Sequence, residues 1–385
     1  MTVANPSSRE AFEMNGQWIG TYDGSSQGTI SANIDESPSH YQGVVYLWDA
    51  ALNMPASAAY FRTADKRGTF SFRTIKIYPV HPKLGTIDSW DNVKQFYPED
   101  VNMSRYGDVT GTWDEDSLKF SWATDIGVQG QCTLSRPDAT RPSEIQSEPL
   151  TWDTYRASSG SRRDRRFLFR GQEQPWRLRT SFHRTGRANL TLFIESDVPA
   201  LHGHLSARTR HVFNLEVPQE NGAFFNLIQH HGYPTPLLDW TRSPYVAAFF
   251  AYHKIAQERV SEATDEDKVR LLLFDYEAWR NDFLQVLNVL NAHLHVSVCE
   301  FLAIENERMI PQQAVSTLTN IDDIETFVQL REHQNDKRYL QAIDLPVKER
   351  NRVMEDLRQM GITAGSLFPG IDGTCEELRE RNFNT

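Results

Sequence analysis

The sequence has no long apolar run, and its three cysteines, Cys132, Cys299 and Cys375, stand at unrelated spacings. The first absence excludes a membrane-spanning helix, and the second excludes a disulfide framework. The opening stretch, MTVANPSSREAFEMNGQW, lacks the basic-then-apolar order of a secretory signal. Together these absences predict a cytoplasmic protein in a reducing compartment, with no membrane contact. Positive charge is also short: 40 Lys and Arg against 51 Asp and Glu leave a formal net charge of −11. Because phosphate neutralisation dominates nucleic-acid binding, that balance argues against a protein whose whole surface coats DNA or RNA. One stretch departs from the average: from Arg156 to Arg187 there are ten arginines and only two acidic residues, Asp164 and Glu173.

The 385 residues suffice for two or three domains. From about Gly16 to Leu134, short alternating or aromatic-rich runs recur between Gly, Asp, Asn and Pro: QWIGTYDG, GTISANID, YQGVVYLWD, GTFSFRTIKIYPV, DVTGTWDEDSLKFSWAT and GQCTLSRP. They predict an all-β barrel or sandwich over residues 1–134, which would sense or bind a partner. The aromatics Trp18, Tyr22, Trp48, Trp113, Phe120 and Trp122 either line a ligand cavity or fill the interior; filling is the expectation for a small barrel. Residues 135–165 are rich in Pro, Ser and charge and read as a solvated basic linker.

From residue 166 to 385 the texture becomes mixed α and β, so the whole chain is α+β. RRFLFRGQ reads as a strand ending at a glycine, and NGAFFNLIQHHG as a helix stopped by Gly232. Ser243 followed by Pro244 reads as the cap and first residue of a helix, PYVAAFFAYHKIAQER. VRLLLFDY and HLHVSVCEFLAI read as strands. PVKERNRVMEDLRQMG reads as an amphipathic helix presenting Val353, Leu357 and Met360 on one face.

The chemistry concentrates in QHHGYPTPLLDWTRSPYVAAFFA, residues 229–251, and in the preceding FRGQ at Phe169–Gln172. Arg170 at a strand end could grip a phosphate or carboxylate with two prongs, or make a structural ion pair with a carboxylate such as Asp239. His230 and His231 end a helix, where the dipole favours an imidazolium; adjacent residues diverge, so at most one faces the site. Asp239, between Leu238 and Trp240, must be paired or hydrogen-bonded, which suits a bracing role. Trp240, Phe249 and Phe250 read as core. The free amides at the Ser243 helix start suit an anion. His293-x-His295 would place two ligands on one face of a strand with no third, so no metal is expected.

FRGQ, the long central stretch and the tail ITAGSLFPGIDGTCEEL resemble the FRG domain, a family named for its Phe-Arg-Gly motif and found widely in bacteria. The resemblance covers roughly residues 166–378. Two departures stand out. Pro236 replaces the arginine of the family's Pro-Thr-Arg-Leu-Leu-Asp-Trp, and RMIPQQAVS carries Ala314 for glycine and Ser316 for phenylalanine. DWTRSPYVAAFFA also has a looser similarity to ADP-ribosyltransferases, in which a first-strand arginine holds the phosphates of NAD and a later Glu or Gln segment positions the ribose. That similarity implies Arg170, Gly171, Gln172, Thr241 and Ser243 as cofactor-binding residues. It implies Arg170 and Gln312 as catalytic, with Gln313, Glu300 or Glu305 as alternatives for the third element, and the residue readings above add His230 and Asp239 to that catalytic set. The function implied is a bacterial or phage-related effector in defence or toxicity that uses NAD, either for ADP-ribosyl transfer to a protein or nucleic-acid acceptor or for NAD cleavage. The alternative is a non-catalytic module that binds a nucleotide or nucleic acid.

Overall fold

A computed structural model describes residues 13–161 and 166–383. The opening residues read for a targeting signal and Arg162–Arg165 of the expected linker therefore lie outside the described residues. Among the described residues no helix is long and apolar enough to cross a membrane.

The chain divides into two compact units. The first comprises residues 1–137 with 182–200 and 290–294; the second comprises 138–181, 201–289 and 295–385. The first unit is built on nine antiparallel strands: β1 (Gly16–Gly24), β2 (Gly28–Glu36), β3 (Tyr41–Asp49), β4 (Ser57–Arg62), β5 (Thr69–Arg73), β6 (Lys76–Pro79), β7 (Gly107–Trp113), β8 (Ser117–Thr124) and β9 (Gln129–Ser135). Their order is β5-β7-β8-β9-β1-β2-β3-β4-β6. The sheet curls into a half-barrel until Phe61 of β4 stacks on Phe72 of β5, ring centroids 5.2 Å apart. GTFSFRTIKIYPV, read as one run, is two strands broken at Thr74 and Ile75, and β4 was not anticipated.

The period of two sorts the aromatics by face. Trp18 is fully buried at the base of the half-barrel, where its Nε1 donates to the Met14 carbonyl at 2.8 Å. Trp113 packs edge-on against Tyr41. Both fill. Tyr22, Phe120 and Trp122 instead line a cavity of about 150 Å³. Trp48 faces the other way, stacked on Tyr46 and on His293. The expectation of simple filling therefore fails for three of the six, because the curled sheet is wider than its side chains can close. Left empty, such a void forgoes about 3–4 kcal/mol of packing.

The outer face of β3 and β4 explains why the first unit takes residues from later in the chain. Val44, Tyr46 and Ala58 form a buried cluster with Ala292. Nearby, buried Asp35 accepts from the backbone amides of Ala188 and Asn189 (2.8 and 2.9 Å) and from Arg187 Nε at 2.6 Å. A boundary drawn from composition at 134–166 cannot see such returns.

The second unit holds a seven-stranded mixed sheet, with β10 (Ser147–Pro149), β11 (Phe167–Gln172), β12 (Leu237–Thr241), β13 (Lys268–Asp275), β14 (Val296–Cys299), β15 (Ala314–Thr319) and β16 (Leu340–Pro346) in the order β10-β16-β13-β11-β12-β15-β14. Its longer helices are α1 (Trp152–Ser161), α2 (Pro218–His230), α3 (Pro244–Tyr252), α4 (Ile324–Asn335), α5 (Arg350–Gln359) and α6 (Ile371–Phe383). The expected linker supplies β10, paired in parallel with β16, and α1. Trp152 and Tyr155, three residues apart on one helical face, are wholly buried in the core with Phe249, Val353 and Leu357, and Trp152 Nε1 donates to Asp356 at 2.8 Å. Two aromatics at helical spacing outweigh a polar average. The helix predicted from Pro244 stops at Tyr252, and Gln257–Glu262 form a separate short one. Of the face expected on α5, Val353 and Leu357 are buried while Met360 lies beyond its end and is exposed.

Among the described residues, four arginines of the arginine-rich stretch are paired internally. Arg156 pairs with Asp356 at 2.7 Å, Arg166 Nε with Asp275 at 3.0 Å, Arg177 with Asp323 at 3.1 Å and Arg179 with Asp322 at 2.5 Å. Local sequence makes these charges look unopposed; their partners lie more than 100 residues away. They are structural ion pairs, so they make no phosphate-binding patch.

Candidate functional site

Strand β11 is hydrogen-bonded to β13 along its whole length, but it matches β12 at one position, Phe169 opposite Thr241. Beyond that pair the two strands diverge, which strips the β12 backbone of its ladder partner. Arg170 repairs the loss: its Nη1 donates to the Asp239 carbonyl oxygen at 2.6 Å. The contact is to the backbone carbonyl, a third role that neither sequence reading of Arg170 supplied. It holds the guanidinium at the edge of the opening.

That opening is a pocket of about 400 Å³, inside the size range of small-molecule sites. Arg170 and Gly171 reach it from β11, Asp239 and Thr241 from β12, His230 from the end of α2, and Gln312 from the loop before β15. Six residues singled out from the sequence thus meet at one place, although their numbers span 142 positions. Phe250, Trp240 and Phe368 supply ring faces, and Arg308, Lys254 and Glu173 complete the charges. Three cations face two carboxylates there, so the pocket suits an anionic ligand that also carries flat rings. Arg308, the first residue of RMIPQQAVS, carries no signal of a role in the sequence; it sits over the Phe368 ring, 5.4 Å from its centroid.

His230 is the best-defined polar group. Its Nδ1 lies 3.1 Å from the Asn226 carbonyl oxygen and 3.1 Å from Asn306 Nδ2, so it has an acceptor for the protonated ring and a donor for the neutral one. Gln312 Nε2 donates to the Leu367 carbonyl at 2.9 Å, which turns its carbonyl oxygen towards the imidazole it bonds. The helix-end argument predicted a charged ring. Burial outweighs it and pulls the His230 pKa below 6.5, against the opposing charge of Asp239. His230 is therefore neutral at pH 7, and His231 is exposed. Asp239 accepts from Ser316 Oγ at 3.4 Å, and the same hydroxyl accepts from Asn226 at 3.5 Å. The serine that replaces the family's phenylalanine thus braces the carboxylate. Ala314 lines the pocket; Pro236 is buried outside it, its carbonyl accepting from the Thr319 amide.

Other expected ligands have structural work. Ser243 Oγ accepts from the Val246 amide at 3.2 Å, and the Ser243 amide donates to Thr241 Oγ1 at 3.1 Å. Thr241 Oγ1 in turn donates to the Gln312 carbonyl at 2.7 Å. These bonds take two of the amides that were to hold an anion, those of Ser243 and Val246, so the start of α3 is capped by its own residues. Gln172 is buried outside the pocket. Of the alternatives for the third element, Glu300 pairs with Arg242 at 2.8 Å and Glu305 accepts from the His211 amide at 2.7 Å, both outside the pocket. Gln313, with a positive φ of 48°, is in the turn before β15 and does not line the pocket either. The core readings divide: Phe249 is wholly buried, whereas Trp240, stacked on Phe274, and half-buried Phe250 also line the pocket. His295 Nδ1 bonds Ser297 Oγ at 3.0 Å, and among the described residues no group of three or more His, Cys, Asp or Glu is placed to hold a metal.

Gly171 marks where α3 crosses β11. A Cβ there would lie 1.9 Å from the Ala247 carbonyl oxygen and 2.7 Å from the Ala251 amide nitrogen, both rigid backbone. The sequence reading gave this glycine to a cofactor; its lack of a side chain serves helix-on-sheet contact. Gly171→Ala should destabilise the protein by about 2–3 kcal/mol through overpacking, measured by urea denaturation. A loss below about 0.5 kcal/mol would mean that α3 yields freely.

His253, on the pocket wall, is pulled down to about 4, chiefly by burial and secondarily by the charge of Lys254. The unfolded chain binds this proton below its ordinary 6.5, the folded chain only below about 4. Stability is thus complete above 6.5 and is lost as pH falls through that window, by about 3 kcal/mol in all. Urea denaturation of wild type and His253→Gln at about pH 7 and about pH 4.5 should show wild type losing about 2 kcal/mol more than the variant. Equal losses would show that His253 is readily protonated in the folded state.

Residues 165–259 match the FRG domain family, which takes in Arg170, His230, Asp239 and Thr241. The chain contains an FRG domain. Gln312, Arg308 and Phe368, which finish the pocket, lie beyond the matched segment of the FRG domain. No curated protein matches the chain. Among solved structures it is similar to a redesigned beta barrel, mFAP1, bound to DFHBI, at 15% identity and a TM-score of 0.22, covering 32% of this chain and 94% of that one.

Proposed function

We propose that the FRG-domain pocket binds a nicotinamide dinucleotide, NAD, and acts at its ribosyl–nicotinamide bond, transferring ADP-ribose to a macromolecule or to water. The reading rests on one observation: Arg170, His230, Asp239 and Gln312, from four separate segments, open on one cavity with Arg308 and the rings of Trp240, Phe250 and Phe368. Arg170 and Arg308 would take the pyrophosphate, and the rings would stack on the flat ends of the ligand. When the C1′–N bond breaks, its electron pair leaves with nicotinamide, which departs uncharged from a cationic ring. No acid is needed for that departure, which agrees with a neutral His230. The carboxylate of Asp239 would stabilise the ribosyl cation and take the proton of the attacking hydroxyl. Gln312 cannot be a base; its amide positions His230. In a bacterial cell such an activity would make the protein an effector in defence or toxicity, with the half-barrel as the sensing part.

The second reading is nucleotide binding without turnover, favoured by the position of Glu300 and Glu305 outside the pocket. Titration calorimetry with NAD, together with chromatography of nicotinamide and of labelled ADP-ribose on protein and nucleic acid, separates the two. Consumption of NAD supports the first. Binding without consumption supports the second, and absence of both removes NAD as the ligand of either reading.

A further inference from the structure

The cavity of the half-barrel has no part in the site above. Its walls below the mouth are apolar, formed by residues such as Ala32, Val45, Ala59, Phe70 and Trp122, and its floor is closed by Met14, which is 1% exposed. The polar groups gather at the other end, where the loops between β1 and β2, β3 and β4, and β8 and β9 meet the β5–β6 turn at Thr74 and the segment of Asn102 and Ser104 before β7. Met54 and Ile126 line the cavity from two of those loops and are nevertheless 37% and 45% exposed, so it reaches the surface there through an apolar rim. Leu52, in the same loop as Met54, is fully exposed. A void walled by carbon offers water no partners and stays dry, and one of about 150 Å³ accepts a single aromatic ring or a small fused one.

The mouth selects the ligand further. Tyr22 Oη donates to Asp49 Oδ2 at 3.2 Å, and Asp49 Oδ1 accepts from the Ala51 amide at 2.8 Å. A carboxylate has room for more donors than these two. Burial pushes the Tyr22 hydroxyl up to about 12, so it stays protonated and keeps that bond. An arriving molecule therefore meets one fixed negative charge beside an apolar well. This repels carboxylates such as fatty acids and favours an N–H or ammonium group.

We propose that the half-barrel is a receptor site for a small aromatic amine or N-heterocycle, its ring held between Phe70, Phe120 and Trp122 and its N–H donated to Asp49. The probes are indole, tryptamine and indole-3-acetate, titrated into the full chain by calorimetry and observed by saturation-transfer NMR. Indole and tryptamine should bind, with indole-3-acetate weaker by about tenfold or more. Asp49→Asn should shrink the gap between tryptamine and the acetate. Ala59→Leu and, independently, Ala32→Leu fill the well and should weaken indole by about tenfold while leaving the melting temperature equal or higher. If neither amine nor indole binds wild type, the cavity is only a packing void and the proposal falls. It falls equally if the acetate binds best, or if indole binds unchanged to a folded variant with a filled well. None of these readouts uses NAD, so the outcome is independent of the FRG-domain reading.

Discussion

Arg170→Ala should lower kcat/KM for NAD by about 10²–10³-fold, the usual loss when one charge-stabilising donor is removed from a site. The side chain has two jobs. Its Nη1 supplies the bond that the Asp239 carbonyl oxygen does not get from β11, and the guanidinium faces the pocket. Alanine removes both, so the loss alone does not separate chemistry from architecture. Arg170→Lys does: one ammonium can keep the bond to the carbonyl but cannot grip a pyrophosphate with two prongs. The lysine variant should therefore melt close to wild type and still lose most of the activity. If it keeps wild-type turnover, Arg170 is a strut of the split sheet and the anion-binding role passes to Arg308 and Lys254. Toxicity on expression should follow the same order, with growth arrest by wild type alone.

Arg177→Ala should cost about 3–5 kcal/mol in urea denaturation. The Arg177 side chain is 2% exposed and that of Asp323 6%. The guanidinium bonds Asp323 through Nε at 3.1 Å to each oxygen and bonds Thr326 Oγ1 at 3.0 Å. Removing it leaves a carboxylate out of water with no countercharge from Arg177, held by Thr326, whose amide donates to Asp323 Oδ1 at 3.1 Å and whose hydroxyl donates to Oδ2 at 2.7 Å. Replacing both partners, as in Arg177→Met with Asp323→Leu, should recover part of the loss, because the penalty lies in the stranded charge more than in the missing attraction. A single variant as stable as wild type would mean that water reaches this pair in the folded protein.

Much of the site was legible because its residues carry local signals. A strand that ends in Phe-Arg-Gly, a histidine at the last turn of a helix before Gly232, and an acid flanked by Leu238 and Trp240 are each readable in a short window. The family resemblance set them in one domain, and they share one pocket. The errors have a common cause. The helix end favours a charged His230, but burial in the folded domain and, secondarily, the charge of Arg308, 78 residues on, oppose it. The helix start at Ser243 predicts free amides, but Thr241 and the Ser243 hydroxyl occupy two of them. The average composition of 135–165 is that of a linker, but Trp152 and Tyr155 at helical spacing bury one face of a helix in the core.

By itself the sequence determined the local geometry: where alternation makes strands, where Gly232 stops a helix, where Ser243 and Pro244 start one, and which long segments bury their faces. These depend on neighbours a few residues apart, for which spacing is sufficient information. The tertiary structure alone decided three things. It brought Asp356, Asp275, Asp323 and Asp322 to four arginines that looked unopposed, and turned that part of a basic stretch into ion pairs. It parted β11 from β12 after a single matched pair and so made room for the pocket. It also curled the first sheet to a radius that leaves about 150 Å³ unfilled. Charge pairing, strand divergence and curvature each depend on elements distant in the chain meeting at a particular angle, and no window of sequence contains that angle.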